Sequence, residues 1–230
     1  VENVFEMGSI IKPLTMAAAL DAGVLKAGTT YNDAGFLTFP AGQAIRNYDL
    51  KGRGVVSMQE VLNQSLNTGA VFAMEKLGHN RFREYMLNYG LAEKTGIDLP
   101  NEVLGSTKSL KGDRDVEYAT AAFGQGITVT PIAMARALAV LANGGKLIKP
   151  QIVSRINLKD TRLEKVIKPE VVRQVLKPET SKEITRMLVK VVDTALLGGQ
   201  YKMEKYSVAA KTGTAQQVSP GESGYSTERY

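Results

Sequence analysis

The run from Ser9 to Val24 restricts the fold of this chain more than any other segment. It is almost wholly apolar, Ala17-Ala18-Ala19-Leu20 favours helix, and Gly23 stands near its end. A helix apolar on every face has no solvent side, so it reads as buried within the rest of the chain. Pro13 limits where it can begin: lacking an amide hydrogen, proline is best tolerated in an opening turn, which makes Ser9 to Lys12 the helix entrance. With 230 residues, 43% of them hydrophobic, the chain can bury a core around it, as one large domain or two intimate lobes.

Further helices are signalled by caps and breakers. Ser57-Met58-Gln59-Glu60 has the capping-box pattern and opens a helix to about Gln64. After the polar turn Ser65-Leu66-Asn67-Thr68-Gly69, a second helix is predicted from Ala70 to Leu77. Asn80 to Tyr89 reads as an amphipathic helix closed by Gly90, and Val116 to Phe123 as one closed by Gly124. Thr130-Pro131 caps a helix to Ala142, and Thr180-Ser181-Lys182-Glu183 is a second capping box, opening a helix to about Leu197. Residues 28 to 55 read as loop with short strands, residues 151 to 178 as short strands or an extended excursion, and Tyr206 to Ala210 as a strand running into Lys211-Thr212-Gly213-Thr214.

Composition excludes several chemistries. There is no cysteine, so disulfides, thiolate catalysis and zinc-cysteine sites are ruled out. His79 is the only histidine; a His-rich metal site is impossible, and in Gly78-His79-Asn80 it reads as a solvated linker residue. The net charge of +6 suits an anionic partner. Lys and Arg are scattered, however, and no nucleic-acid-binding spacing appears, which argues against nucleic acid. No stretch reaches the roughly 18 to 20 apolar residues needed to cross a bilayer.

Serine needs a base within hydrogen-bond reach, and donors aimed at the developing oxyanion, before it can act as a nucleophile. Ser9-Ile10-Ile11-Lys12 offers a lysine three residues on, which a helical turn places on the same face. That lysine must be neutral to accept a proton, and its neighbours Ile10, Ile11 and Leu14 supply the burial that depresses a lysine pKa. Ser65-Leu66-Asn67 is a second candidate element, although each pattern alone is common. Lys-Thr-Gly occurs twice, at Lys94-Thr95-Gly96 and Lys211-Thr212-Gly213. The first lies in what reads as a connecting loop before Ile97-Asp98-Leu99-Pro100; the second follows an apolar strand and is the copy expected to face a cleft.

In this order, Ser9-x-x-Lys12, Ser65-x-Asn67 and Lys211-Thr212-Gly213 resemble the motif set of penicillin-binding proteins and class A β-lactamases. Phe5-Glu6-Met7-Gly8, Lys94 to Pro100, and Gly124-Gln125-Gly126 with Thr128-Val129-Thr130-Pro131 extend the resemblance to class B penicillin-binding proteins over nearly the whole chain. Ala44-Ile45-Arg46-Asn47 inclines it towards the cell-division branch.

That resemblance implies an α+β fold, a helical lobe packed against an antiparallel sheet, with the sheet incomplete here. It implies a peptidoglycan D,D-transpeptidase in septal wall synthesis: Ser9 attacks the penultimate D-Ala of a stem peptide, Lys12 takes its proton, and a second stem peptide's amine resolves the acyl-enzyme. Ser65 would relay a proton, Asn67 would hydrogen-bond the substrate amide and help orient Lys12, and Lys211 would add positive potential. Thr212 and Thr214 would hold the substrate carboxylate, the N–H groups of Ser9 and Thr214 would form the oxyanion hole, and Gly213 would let substrate backbone lie along the strand. β-Lactams are the implied inhibitors, and no cofactor or metal is implied. The implied partners are stem peptides, a membrane glycosyltransferase and divisome proteins, at the extracytoplasmic face of the bacterial cytoplasmic membrane. Val1 at the start and Ser226 to Tyr230 at the end lead to the expectation that residues 1–230 are a transpeptidase domain truncated at both ends, its membrane anchor lying outside them. D,D-carboxypeptidase, serine β-lactamase and a non-catalytic β-lactam sensor remain alternatives within the same acyl-serine superfamily.

Overall fold

The computed structural model describes residues 1–158, 164–214, 216–218 and 225–229. A 3₁₀ turn, Gly8–Ile11, leads directly into α1 (Lys12–Asp21), with Pro13 in its first turn as expected. Then come β1 (Thr30–Asp33), β2 (Phe36–Thr38), β3 (Ala44–Arg46) and β4 (Gly54–Ser57), followed by α2 (Met58–Asn63), α3 (Asn67–Leu77) and α4 (His79–Asn88). The second half holds α5 (Asp115–Ala121), α6 (Pro131–Ala142), β5 (Lys146–Lys149), β6 (Arg155–Asn157), β7 (Glu164–Val166), β8 (Glu170–Gln174) and α7 (Pro178–Lys190). The described chain ends with β9 (Gln216–Val218) and β10 (Tyr225–Arg229). Among the described residues no helix is long and apolar enough to cross a membrane.

Helix α1 is the centre of the molecule. Leu14, Met16, Ala17, Ala18 and Ala19 are fully buried, and α2, α3, α4, α6 and α7 all pack against it. Residues just beyond α5 and α4 meet its polar groups: Thr15 Oγ1 donates to Ala122 O (2.8 Å), and Leu14 O accepts from the buried Tyr89 hydroxyl (3.1 Å). The run of small alanines allows helices to approach on every side, which is how an all-round apolar helix is accommodated.

The strands pair antiparallel, as the α+β reading requires. Among the described residues they form five separate two-stranded ladders, β1–β4, β2–β3, β5–β8, β6–β7 and β9–β10, instead of one continuous sheet. The excursion expected over 151–178 is accordingly the β6–β7 hairpin and β8, residues 159–163 lying outside the described residues.

Several sequence-based expectations shift. Ser57 caps α2 by accepting from Glu60 N (3.3 Å), but the Glu60 carboxylate turns to Asn63 Nδ2 (2.7 Å) and Gln64 Nε2 (2.9 Å), so the reciprocal half of that capping box is not made. Helix α3 begins at Asn67, three residues before the expected Ala70. The predicted Thr180 capping box is not formed, because Pro178 pre-sets the helical φ earlier and α7 begins there. Asp21 takes the capping role from the far end of α1, accepting from Lys177 N (2.7 Å) and Thr180 Oγ1 (2.8 Å). The α-helical part of α7 ends at Lys190, and a π-helical turn, Val191–Ala195, follows short of Leu197. Tyr206 to Ala210 is not a strand: no ladder partner meets it among the described residues, and strand propensity expresses itself only on a paired, half-buried surface. His79 is not a solvated linker residue. It opens α4, its ring stacks on Tyr118 at 3.9 Å, and Nε2 lies 3.4 Å from Asp115 Oδ1.

Candidate active site

The turn bearing Ser9 is held by close glycine contacts. Gly8 has a φ of 55°, and its N–H donates to Gly124 O (3.1 Å). Gly124 has a φ of 90°, and a Cβ there would lie 2.1 Å from Gly8 O, so the two backbones approach as only glycine permits. Phe5 and Val129 exchange backbone hydrogen bonds beside them, and Gly126 N donates to Glu6 Oε1 (2.8 Å). The Phe5 to Gly8 and Gly124 to Thr130 segments are thus two sides of one cradle under the serine.

Because Ser9 is the second residue of the 3₁₀ turn and Lys12 opens α1, the two residues sit one turn apart, with Lys12 N donating to Ser9 O. Lys12 is 1% exposed. Its Nζ donates to Ser65 O (2.5 Å) and lies 3.1 Å from Ser65 Oγ. Burial, and secondarily the Lys211 ammonium, holds the Lys12 amine well below the usual lysine range.

Ser65 sits between α2 and α3 with a φ of 55°, a left-handed conformation that costs a non-glycine residue about 1–2 kcal/mol. That conformation turns both its carbonyl and its hydroxyl towards Lys12. Lys211 reaches the same hydroxyl from the other side, Nζ to Ser65 Oγ being 2.8 Å, and also contacts Thr212 O (3.0 Å) and Thr212 Oγ1 (3.2 Å). Burial lowers Lys211 to about 8. Of the two Lys-Thr-Gly copies, the second is therefore the one at the site. The first is tied into a loop, where the Glu102 carboxylate accepts from Thr95 N (2.6 Å), Thr95 Oγ1 (2.6 Å) and Gly96 N (3.1 Å).

Asn67 and Gly213 also have close partners within the chain itself. Asn67 does not touch Lys12; its Nδ2 donates to Arg46 O (2.7 Å), and Lys12 is oriented by Ser65 instead. At Gly213 the close neighbour is the chain's own Ile10: a Cβ would fall 2.8 Å from Ile10 Cγ2. The absent side chain thus lets the Lys211–Thr214 segment lie against the turn carrying Ser9.

An open cleft of about 700 Å³ runs over this constellation, lined by Ser9, Ser65, Asn67, Thr212 and Thr214 on one side and by Arg46, Asn47 and Tyr48 on another. Seven of the eight candidate residues are thereby brought to one locality directly, by cleft lining or by hydrogen bonding, and Gly213 joins them through Ile10. The arrangement can move a proton. Ser65 Oγ can accept from a cationic Lys211 while donating to a neutral Lys12, and Lys12 shares a turn with Ser9.

Sequence reasoning missed the support beneath Ser65. Leu66, at the N-cap of α3, offers no capping side chain. Asn47 caps the helix from a distant loop, its Oδ1 accepting from Asn67 N (3.0 Å) and Thr68 N (3.4 Å). Its Nδ2 lies 2.9 and 3.1 Å from the two oxygens of Asp33, which also accepts from Thr68 Oγ1 (2.7 Å). These residues are 14 to 35 positions apart, and no local spacing marks them.

The profile of the penicillin binding protein transpeptidase domain matches residues 1–230. The chain belongs to this family. It is 38% identical over 224 residues to stage V sporulation protein D of Bacillus subtilis, an alignment covering 96% of this chain and 34% of that protein. It is 31% identical over 229 residues to the probable peptidoglycan D,D-transpeptidase FtsI of Caulobacter vibrioides, covering 99% and 37% respectively. The chain therefore spans about a third of the length of these curated relatives. A crystal structure of penicillin-binding protein 3 from Mycobacterium tuberculosis, complexed with aztreonam, superposes with a TM-score of 0.88 at 25% identity, over 99% of this chain and 52% of that one. The α+β class is that of penicillin-binding transpeptidases, with its helices and antiparallel pairing present here.

Proposed function

We propose that this chain carries the acyl-transfer site of a peptidoglycan D,D-transpeptidase, with Ser9 as the nucleophile and D-Ala-D-Ala stem peptides as donors. The observation that carries the reading is the convergence of two buried-side lysines on one hydroxyl, Lys12 at 3.1 Å and Lys211 at 2.8 Å from Ser65 Oγ, one turn from Ser9. A depressed lysine is the base that a serine lacking a histidine partner needs. Lys12 takes the Ser9 proton, and the Ser65 hydroxyl passes one towards the leaving amine. The Ser9 and Thr214 N–H groups hold the oxyanion, and Thr212 and Thr214 take the substrate carboxylate, with Asn67 at the substrate amide. Glu60 is already engaged by Asn63 and Gln64, which fits an acyl-enzyme that water resolves slowly.

The similarity to the probable D,D-transpeptidase of Caulobacter and to the Mycobacterium protein that was crystallised with aztreonam supports this reading for the whole protein. The proposal extends to a place at the extracytoplasmic face of the cytoplasmic membrane, anchored by an N-terminal segment, beside a membrane glycosyltransferase and divisome proteins.

Intact-mass spectrometry of the full-length protein with penicillin tests the core of it. One adduct is expected, absent in Ser9→Ala; an adduct that survives the substitution sinks the assignment. Incubation with a pentapeptide donor and an amine acceptor then separates the classes. Cross-linked product is expected. Free tetrapeptide alone would make it a carboxypeptidase, rapid β-lactam turnover a β-lactamase, and acylation without any peptide product a sensor.

A further inference from the structure

We infer that Asn47, locked by Asp33, is the positioning residue that sets the Ser65–Asn67 turn for acylation. Asn47 and Asp33 are 1% and 2% exposed, so neither is a casual surface contact. They lie outside the three motifs, and Asn47 belongs to a segment, Ala44 to Asn47, whose chemistry the motif reading left unexplained.

The geometry assigns each atom a task. Asn47 Oδ1 accepts the two amides at the start of α3, Asn67 N at 3.0 Å and Thr68 N at 3.4 Å, which the N-cap Leu66 leaves without a side-chain acceptor. Asn47 Nδ2 has Asp33 Oδ2 at 2.9 Å and Lys51 O at 3.1 Å, which fixes the amide in the orientation that points its oxygen at α3. The preceding residue completes the grip, as Arg46 O accepts from Asn67 Nδ2 at 2.7 Å. Helix α3 is therefore clamped at its first residue from the backbone and the side chain of one short segment. Ser65, two residues before it, is held in its left-handed conformation with the hydroxyl between Lys12 and Lys211. Without the clamp the turn is free to relax towards an ordinary φ, and Ser65 Oγ swings off the line between the lysines.

The inference rests on the proposed acyl-serine reaction, and its test separates the two. In the full-length protein, Asn47→Ala is expected to lower the first-order penicillin acylation rate about 10- to 100-fold, with less than threefold change in the preceding binding constant and with folding retained by circular dichroism. Asn47→Asp keeps an acceptor for α3 but sets a second carboxylate against Asp33, so its loss is expected to be as large. The exchanged pair Asp33→Asn with Asn47→Asp restores a donor to that contact and is expected to recover most of the rate. Amide hydrogen exchange at Asn67 and Thr68 should accelerate at least tenfold in Asn47→Ala and return in the exchanged pair, whether or not the protein reacts with penicillin. Unchanged exchange at those amides overturns the clamp. Faster exchange with wild-type acylation overturns its role in positioning. A wild-type protein that takes no adduct at Ser9 overturns the proposed reaction, while exchange still decides the clamp.

Discussion

Lys12 and Lys211 are chemically alike and are given different duties by their surroundings. Lys12 lies in the core beside a second cation, both of which disfavour its charged form, whereas Lys211 is only partly enclosed and falls to about 8. The proposed reaction calls for a neutral Lys12 and a charged Lys211. The rate is therefore expected to rise with pH as Lys12 loses its proton and to fall as pH passes through about 8 and Lys211 loses its own. Lys211→Arg keeps the charge, so its acylation profile should lose the alkaline limb even if the maximum rate drops; stopped-flow acylation across pH 6 to 10 checks this at fixed ionic strength. The stability linkage has a definite sign. With a folded value of about 8 against 10.5 for a free lysine, the unfolded chain binds more protons between those values, so Lys211 makes the fold more stable as pH rises through that window. Lys12 is depressed for the same reason, and a buried amine is a cost to the fold. Lys12→Met is expected to melt higher, by about 1 kcal/mol of added stability, while acylation falls about a hundred- to ten-thousandfold.

Glycine at two turns decides how the site's elements meet. Gly124 carries the turn after α5 against the backbone of Gly8, where a Cβ would be 2.1 Å from Gly8 O and a φ of 90° is strained for any other residue. Gly124→Ala is expected to destabilise the protein by about 2–4 kcal/mol and to slow acylation with it, as read by urea unfolding and penicillin labelling. Gly213 is a softer case, because its neighbour is a side-chain methyl of Ile10 at 2.8 Å. Gly213→Ala should displace the Lys211 segment from the Ser9 turn and slow acylation at least tenfold with little loss of stability. Adding Ile10→Ala makes room and should recover part of the rate; failure of that rescue would point to a contact with substrate in place of Ile10. The capping residues follow the same logic at longer range. Asp21 caps α7 from the end of α1, and Asn47 caps α3 from the loop after β3, so in both cases the orphan amides of one element are satisfied by another.

Across the whole molecule, α1 is both the centre of the core and the element that presents Lys12. Because five helices pack on it, its enclosure makes the lysine dry and the alanine run keeps its position rigid. Leu14, fully buried two residues beyond Lys12, is the test of that coupling. Leu14→Ala is expected to cost about 2–5 kcal/mol by equilibrium urea unfolding, with acylation slowed even where the protein remains folded. The Lys211 segment reaches Ser65 without a strand partner among the described residues.

Read alone, the sequence determined the features encoded by neighbours in the chain. Pro13 and the apolar run placed the entrance of α1, Thr130 placed α6, and three motifs in order named the serine, the lysines and the second Lys-Thr-Gly copy. Motif chemistry is local, so it survives in one dimension. The tertiary structure decided what depends on partners from elsewhere. The strand expected at Tyr206 to Ala210 had no ladder to join, Thr180 was claimed by Asp21, His79 stacked on Tyr118, and Gly213 answered to Ile10. It alone revealed that Ser65 stands on Asn47 and Asp33. Buried polar groups must be satisfied, but which distant residue satisfies them is fixed only when the chain has closed around them.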